Sequence, residues 1–371
     1  MAATRAAIGL WRRLLALLGS LLGVLVPGLS RAVDLPGDKA EALIHSYIGG
    51  GVNAYGPAFL VRKSIMDKVS LAGTYYMDAV SNASIDVVTT ASPYHEVRHE
   101  FGLSADYVYR DAQITLGAMT SHEPDYVANT GNIDVTQEVF GGMTTVAFGF
   151  TKGSDKVGKK NSPEFSDHAH HWQYRFGLTQ ILSPHWLASL NFDALSDDGY
   201  LGSPYRSARV FGAFVPERNP RTRSSRAGKI KLVGDLGSYG AINFGYRYYT
   251  DTWDIKAHTV EGGYSHYIGE KWLADIFARY YTQTHANFYS DNAMTETVYV
   301  SRNRQLSTFN DYGLGARLSY DVRRVPGRYD VKLVGAYEYT RYKFKDFTDV
   351  RTGELYGYGA SVIQVYLSAT Y

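Results

Sequence analysis

Residues 362–371 read VIQVYLSATY. Ile363, Val365, Leu367, Ala369 and Tyr371 take every second position, with Gln364, Tyr366, Ser368 and Thr370 between them. Successive side chains of a strand point to opposite faces, so one face of this segment is apolar and the other polar. The pattern recurs upstream. In HWQYRFGLT (171–179), Trp172, Tyr174, Phe176 and Leu178 oppose Gln173, Arg175 and Thr179; in HWLASLNFDA (185–194), Trp186, Leu190 and Phe192 oppose Ser189, Asn191 and Asp193. Phe101, Leu103, Tyr107 and Tyr109 alternate with Glu100, Ser104 and Asp106, and Ile242, Phe244, Tyr246 and Tyr248 with Asn243 and Arg247. Trp272, Ile276 and Tyr280 alternate with Asp275 and Arg279, and Val331, Leu333, Tyr337 and Tyr339 with Asp330, Lys332 and Glu338.

The connections set the architecture. Short links fall near 66–67, 110–111, 141–142, 183–184, 235–237, 268–270 and 322–327, at every second connection. Long segments fall between them at about 80–96, 121–130, 152–169, 197–222, 286–306 and 343–356; the short link near Asp251–Trp253 breaks the rhythm. Short periplasmic turns alternating with long external loops are the pattern of an outer-membrane barrel. A transmembrane antiparallel β-barrel is therefore expected, with 16 strands if a first strand forms near Leu43–Ile48 and 14 otherwise. A soluble β-sandwich also alternates, but it would need a second sheet to cover Trp172, Trp186 and Trp272. In a barrel these rings face lipid.

Residues 1–32 carry Arg5, Arg12 and Arg13, the apolar run LLALLGSLLGVLVPGL and then Ser30-Arg31-Ala32. That run is too short for a spanning helix, so a signal peptide cleaved after Ala32 is expected, leaving 33–371 as one barrel domain. The formal net charge is +2, and removing the four arginines of 1–32 leaves −2, which suggests no nucleic-acid partner. The chain has no cysteine, so disulfides cannot staple it, and its 31 tyrosines suit the aromatic girdles of a barrel in a bilayer. The expected partners are outer-membrane lipid and the barrel assembly machinery, which reads a terminal alternating strand ending in an aromatic residue.

GYLGSPYRS (199–207) and VPERNPRTRSSRA (215–227), with YYMDAVSNAS (75–84), SHEPDY (121–126) and RYYTQTHANFY (279–289), resemble the pattern of a Gram-negative family of outer-membrane β-barrel proteins classed as a domain of unknown function. The resemblance implies the architecture and no activity.

Charge on the lipid face costs roughly 2–4 kcal/mol for Arg or Lys at mid-depth, so Arg98, Glu100, Asp106, Arg175, Asp193, Lys229, Lys231, Arg247, Asp275, Arg279, Arg317, Asp330, Lys332 and Glu338 are expected to face the lumen. The 197–227 segment is expected to fold inward and constrict the pore, presenting Tyr200, Tyr205, Arg206, Glu217, Arg218, Arg221 and Arg223. Its arginines would either bind carboxylates or phosphates or pair with lumen acids to pin the loop. PEFSDHAHHW (163–172) offers His168, His170 and His171 beside Glu164 and Asp167 as a candidate zinc or copper site, the alternative being a solvated polar loop. Asp78, Glu123 and Asp125 are candidate calcium ligands or simply rim charge.

No G-x-S-x-G elbow accompanies Ser121, His95, His99 or His122, so no enzyme is expected. The glycines of GGGVNAYG (49–56) precede no helix and are not a phosphate loop, and no cofactor is implied. The expected function is a porin-like channel for a small polar solute; the alternative is a non-conducting scaffold or receptor that binds a partner or metal through its external loops.

Overall fold

The computed structural model describes residues 33–82, 84, 94–160 and 162–371. The expected signal sequence and most of the 80–96 segment lie outside the described residues. Among the described residues eighteen strands form: β1 (Lys39–Gly49), β2 (Val52–Met66), β3 (Val69–Asn82), β4 (Tyr94–Tyr109), β5 (Ala112–His122), β6 (Tyr126–Val139), β7 (Thr144–Gly158), β8 (Ser166–Ser183), β9 (Trp186–Gly199), β10 (Ser207–Val210), β11 (Ala213–Pro216), β12 (Thr222–Asp235), β13 (Ala241–Asp251), β14 (Lys256–Ile268), β15 (Trp272–Gln283), β16 (Phe309–Val325), β17 (Tyr329–Thr348) and β18 (Leu355–Thr370). Sixteen of them make one closed antiparallel barrel in sequence order, while β10 and β11 form a separate hairpin between β9 and β12.

The first strand forms and closes the ring. β1 pairs with β18 over its whole length, Ile44 opposite Val365 and Ala40 opposite Ala369, and with β2 on its other side. The GGG run is its hairpin turn: Gly50 and Gly51 have φ of 58° and 79°, the left-handed values a two-residue turn requires.

Outward faces are apolar. Phe101, Leu103, Trp186, Phe192, Phe244, Ile276, Val365 and Leu367 are all exposed on the outside of the wall. Aromatic pairs bracket this belt. Trp272 and Tyr320 lie 4.5 Å apart near the end bearing both termini, and Tyr280 and Tyr312 lie 5.1 Å apart toward the other, the loop end. Trp272 to Tyr280 spans about 27 Å along the strand and about 21 Å across a bilayer at a ~40° tilt, close to the height of an apolar barrel belt.

The sixteen barrel strands run 11–20 residues, at or beyond the ~9–11 needed to cross. The surplus corrects the expected loops: 121–130 shrinks to 123–125, 152–169 to 159–165, and 343–356 to 349–354. Above the belt the backbone ladder continues while the outward side chains become polar, as at Lys343 and Lys345 beside the inward Phe344. Loss of alternation there resembles loop sequence, although each N–H and C=O is still best satisfied by pairing.

Candidate functional site

The lumen face is polar and its charges are mostly paired. Arg98 bonds Asp78 at 2.9 Å and lies 4.0 Å from Glu100; Arg175 bonds Asp134 at 2.6 Å; Arg317 bonds Asp275 at 2.8 Å; Arg279 bonds Asp311 at 2.9 Å. Asp106 accepts from Arg62 and Thr115, and Lys229 pairs with Glu261 at 2.5 Å. Lys332 lies 3.4 Å from Asp330. Asp193 faces Gln173 at 3.5 Å, and Glu338 accepts from Thr340 at 3.3 Å. Arg247 is different. Its guanidinium sits 5.5 Å over the Tyr249 ring, with no carboxylate in ion-pair range among the described residues.

Two connections cover the loop end. The expected single inward loop at 197–227 is instead a shorter segment, 200–221, interlocked with 284–308, and Arg223 stands on β12. Backbone bridges join the two loops: Arg218 N–H donates to Val300 O and Val300 N–H to Arg218 O, both at 2.9 Å, and Phe211 N–H donates to Ala293 O at 2.8 Å. Glu217 Oε1 accepts from Ser301 Oγ and Arg302 N–H at 3.0 and 2.9 Å. Arg302, buried, stacks 4.3 Å over Phe347 and pairs with Asp291 at 2.7 Å, tying the lid to β17. Val300, Leu306 and Phe347 are buried here, each worth ~1.5–3 kcal/mol. Among the described residues the apolar clusters gather at the loop end: two within the lid loops and the Asp251 turn, and one around Phe344 and Phe347 on β16, β17 and β18.

Arg221 and Tyr205 anchor the lid to the barrel rim. Arg221 donates two 2.8 Å bonds to Asp167 at the loop end of β8, and this guanidinium holds the Asp167 carboxyl down to about 2. Tyr205 donates to Asp125 and accepts from Lys160 N–H at 2.6 Å; burial, helped by the Asp125 bond, pushes its phenol up to about 12. Burial likewise raises Tyr200. The Nη1 of Arg206 is buried without a hydrogen-bond partner.

The short link that broke the rhythm is the hub of the lid. The Asp251 side chain is fully buried and accepts from Arg223 Nε (2.9 Å) and Nη2 (2.5 Å), Tyr249 Oη (2.8 Å), Trp253 N–H (2.9 Å) and Ile255 N–H (3.0 Å). Arg223 stacks 4.4 Å over Trp253, whose Nε1 donates to Thr222 O at 3.0 Å. Trp253 and Ile255 pack against Ala286 and Leu306 of one lid loop and Leu201 of the other. Neither Asp251 nor Trp253 was selected from sequence; the irregular link itself was the available signal.

Beneath the lid lies a cavity of about 530 Å³. Tyr200, Leu201 and Asn219 line it from one loop and Asn303, Gln305 and Leu306 from the other. The barrel wall contributes Arg223, Arg247, Tyr249 and Tyr281, and on the far side Tyr126, His171 and Asp197. A second cavity of about 410 Å³ lies nearer the terminus end, lined by Tyr47, Asn243, Glu261, Arg279, Glu338 and Tyr342.

Residues 158–359 match a family described as protein of unknown function (DUF3570), a span that includes both lid loops and the Asp251 turn. The chain belongs to this family. No curated protein matches it. Among solved structures it is similar to the siderophore receptor PirA from Pseudomonas aeruginosa, with 10% identity, 85% of this chain, 60% of that one and a TM-score of 0.44. The CymD monoaromatic hydrocarbon channel matches with 8% identity, 93% and 95% coverage and a TM-score of 0.45. The outer membrane protein opdK from Pseudomonas aeruginosa matches with 9% identity, 89% and 98% coverage and a TM-score of 0.42. The chain thus spans 60% of the PirA receptor's length and nearly all of the two others. The DUF3570 protein is a closed 16-strand antiparallel β-barrel.

In the DUF3570 barrel the candidate metal histidines are not brought together. His171 turns into the lumen, with ring nitrogens 2.8 Å from both Asp155 and Asp197. Strand alternation sends His168 and His170 to the other face, where His170 packs 6.0 Å from Trp172. The acidic grouping also differs from expectation. Asp78 is taken by His45 at 2.7 Å and by Arg98, while Glu96 joins Glu123 and Asp125, their ligand oxygens within 4.8 Å of one another. Burial pushes the Glu123 carboxyl up, and Asp125 adds to the shift. Ser121 is buried on the lumen face, opposite in alternation to His99, which meets Tyr75 at 2.9 Å, and to His122.

Proposed function

We propose that this protein is a bacterial outer-membrane channel for a small polar solute, its loop end outside and its terminus end in the periplasm. The supporting observation is a pair of cavities, about 530 and 410 Å³, each lined in part by charged and polar side chains, in the lumen of a closed 16-strand barrel beneath one lid. Barrels of this strand number are wide enough to hold an aqueous path. The lid is held by hydrogen bonds, ion pairs and apolar contacts with no covalent tie, so it can lift.

The second reading, a non-conducting scaffold or receptor, draws on the paired lumen charges. Arg175–Asp134, Arg279–Asp311 and Lys229–Glu261 neutralise one another along the wall and leave few fixed charges to drive permeation. Planar-bilayer recording separates the two readings. A channel gives small steps from the intact protein and larger, stable steps when residues 200–221 are replaced by a short Gly-Ser linker. Silence from both proteins, with insertion shown by heat-modifiable migration, supports the scaffold.

A further inference from the structure

We propose that the 530 Å³ cavity under the lid is a binding site for a hydroxylated organic carboxylate, a sugar acid by chemistry, with Arg247 as its anion receptor. The inference rests on the channel reading for its physiological role but not for its test.

The charge balance of the cavity singles out Arg247. Of the other charged groups on its lining, Arg223 is satisfied by Asp251 at 2.5 Å, and Asp197 is engaged by His171 at 2.8 Å, whose other nitrogen meets Asp155. Arg247 alone among these contributes a guanidinium with no carboxylate partner among the described residues, resting on the Tyr249 face. A planar fork of donors with nothing planar opposite it is what a carboxylate fits in bidentate fashion. Counter-charge exists elsewhere in the lumen, so an unmatched guanidinium here is a local feature rather than a property of a uniformly basic pore.

The rest of the lining selects the body of the ligand. Tyr281, which lines the wall of the cavity, offers a flat face for the apolar side of a ring. Asn303 and Gln305 from the lid loop add amide groups suited to hydroxyls, and Tyr200 adds a phenol. The cavity volume lies inside the ~300–1,000 Å³ range of small-molecule sites. All three of these groups stand on the lid loops, so occupancy and lid closure would be coupled.

The test is isothermal titration of the full barrel in detergent with sodium glucuronate, glucose and inorganic phosphate. The proposal requires saturable glucuronate binding, at least tenfold weaker binding of glucose and of phosphate, and loss of at least tenfold in affinity for glucuronate in Arg247→Gln. Arg247→Lys should fall between, since a point charge replaces the fork. Heat-modifiable migration of each variant shows that the barrel is intact. Equal affinity in wild type and Arg247→Gln overturns the assignment, as does the absence of glucuronate binding. Phosphate binding as tight as glucuronate overturns the carboxylate class. None of these measurements needs conduction: silent bilayers with Arg247-dependent binding defeat the channel and leave the site standing, and conductance without such binding does the reverse.

Discussion

Removing the Asp251 carboxylate should open the lid without unmaking the barrel. Its side chain is fully buried and takes five hydrogen bonds, two from Arg223, one from Tyr249 and two from the backbone of the turn that carries Trp253. In Asp251→Ala, Arg223 is left partly buried without its counter-charge and two turn N–H groups lose their acceptor. Breaking a buried pair from one side costs about 3–5 kcal/mol. The loss falls on the packing of Trp253 and Ile255 against Ala286, Leu306 and Leu201, so it appears as a more populated open lid. Every ~1.4 kcal/mol is tenfold, so the open fraction should rise about 140- to 4,000-fold unless it saturates. Asp251→Asn keeps an acceptor for the Trp253 and Ile255 N–H groups while losing the charge facing Arg223, and should lie between wild type and alanine. Tryptic cleavage after Arg302 or Arg304, followed by mass spectrometry on the detergent-solubilised barrel, reads the open population when closing is faster than cleavage. If Asp251→Ala stays heat-modifiable and is cut at these sites within threefold of the wild-type rate, the hub assignment is wrong.

Ile276 lies midway between the two aromatic pairs on the outer face, so Ile276→Arg should cost about 2–4 kcal/mol in urea unfolding from lipid, and Trp272→Arg about 0–1 kcal/mol. Cysteines at Arg247 and Asp275 should react with a water-soluble thiol reagent and those at Phe244 and Ile276 with a lipid-phase reagent; the opposite result means a register slip of one residue. The carboxyl of Asp167 is held down to about 2 by Arg221, against an unfolded value near ~4. A depressed acid contributes fully above its unfolded value and loses that contribution as pH falls through its folded one, so the Arg221 anchor should weaken between about pH 4 and pH 2. Its partner is well exposed, so the effect should be below ~1 kcal/mol; acid proteolysis of the 200–221 loop, compared with Asp167→Asn, measures it.

Side-chain alternation alone determined the barrel. The odd positions of 363–371, the even positions of 172–178 and 186–194, and the charges set between them specify which face meets lipid, because a lipid-facing charge is costly at every strand and the period of two leaves no other placement. The short turns were legible for the same reason: where alternation stops and restarts in phase, the chain has reversed. Alternation with an apolar outer face failed above the belt, where water reaches the outside of the wall and the ladder no longer needs an apolar outer side; there, paired strand in β6, β8 and β17 resembles loop in sequence. The cavity was not legible at all. Arg223 and Arg247 are both arginines on lumen faces of adjacent strands, and only the fold shows that Asp251 neutralises the first and no carboxylate reaches the second. Likewise the contact of 200–221 with 284–308 joins segments some 80 residues apart through backbone bonds at Arg218 and Val300. Such bonds carry no side-chain signature, because any residue except proline can donate them, so sequence placed the wall and tertiary structure decided how its mouth is closed.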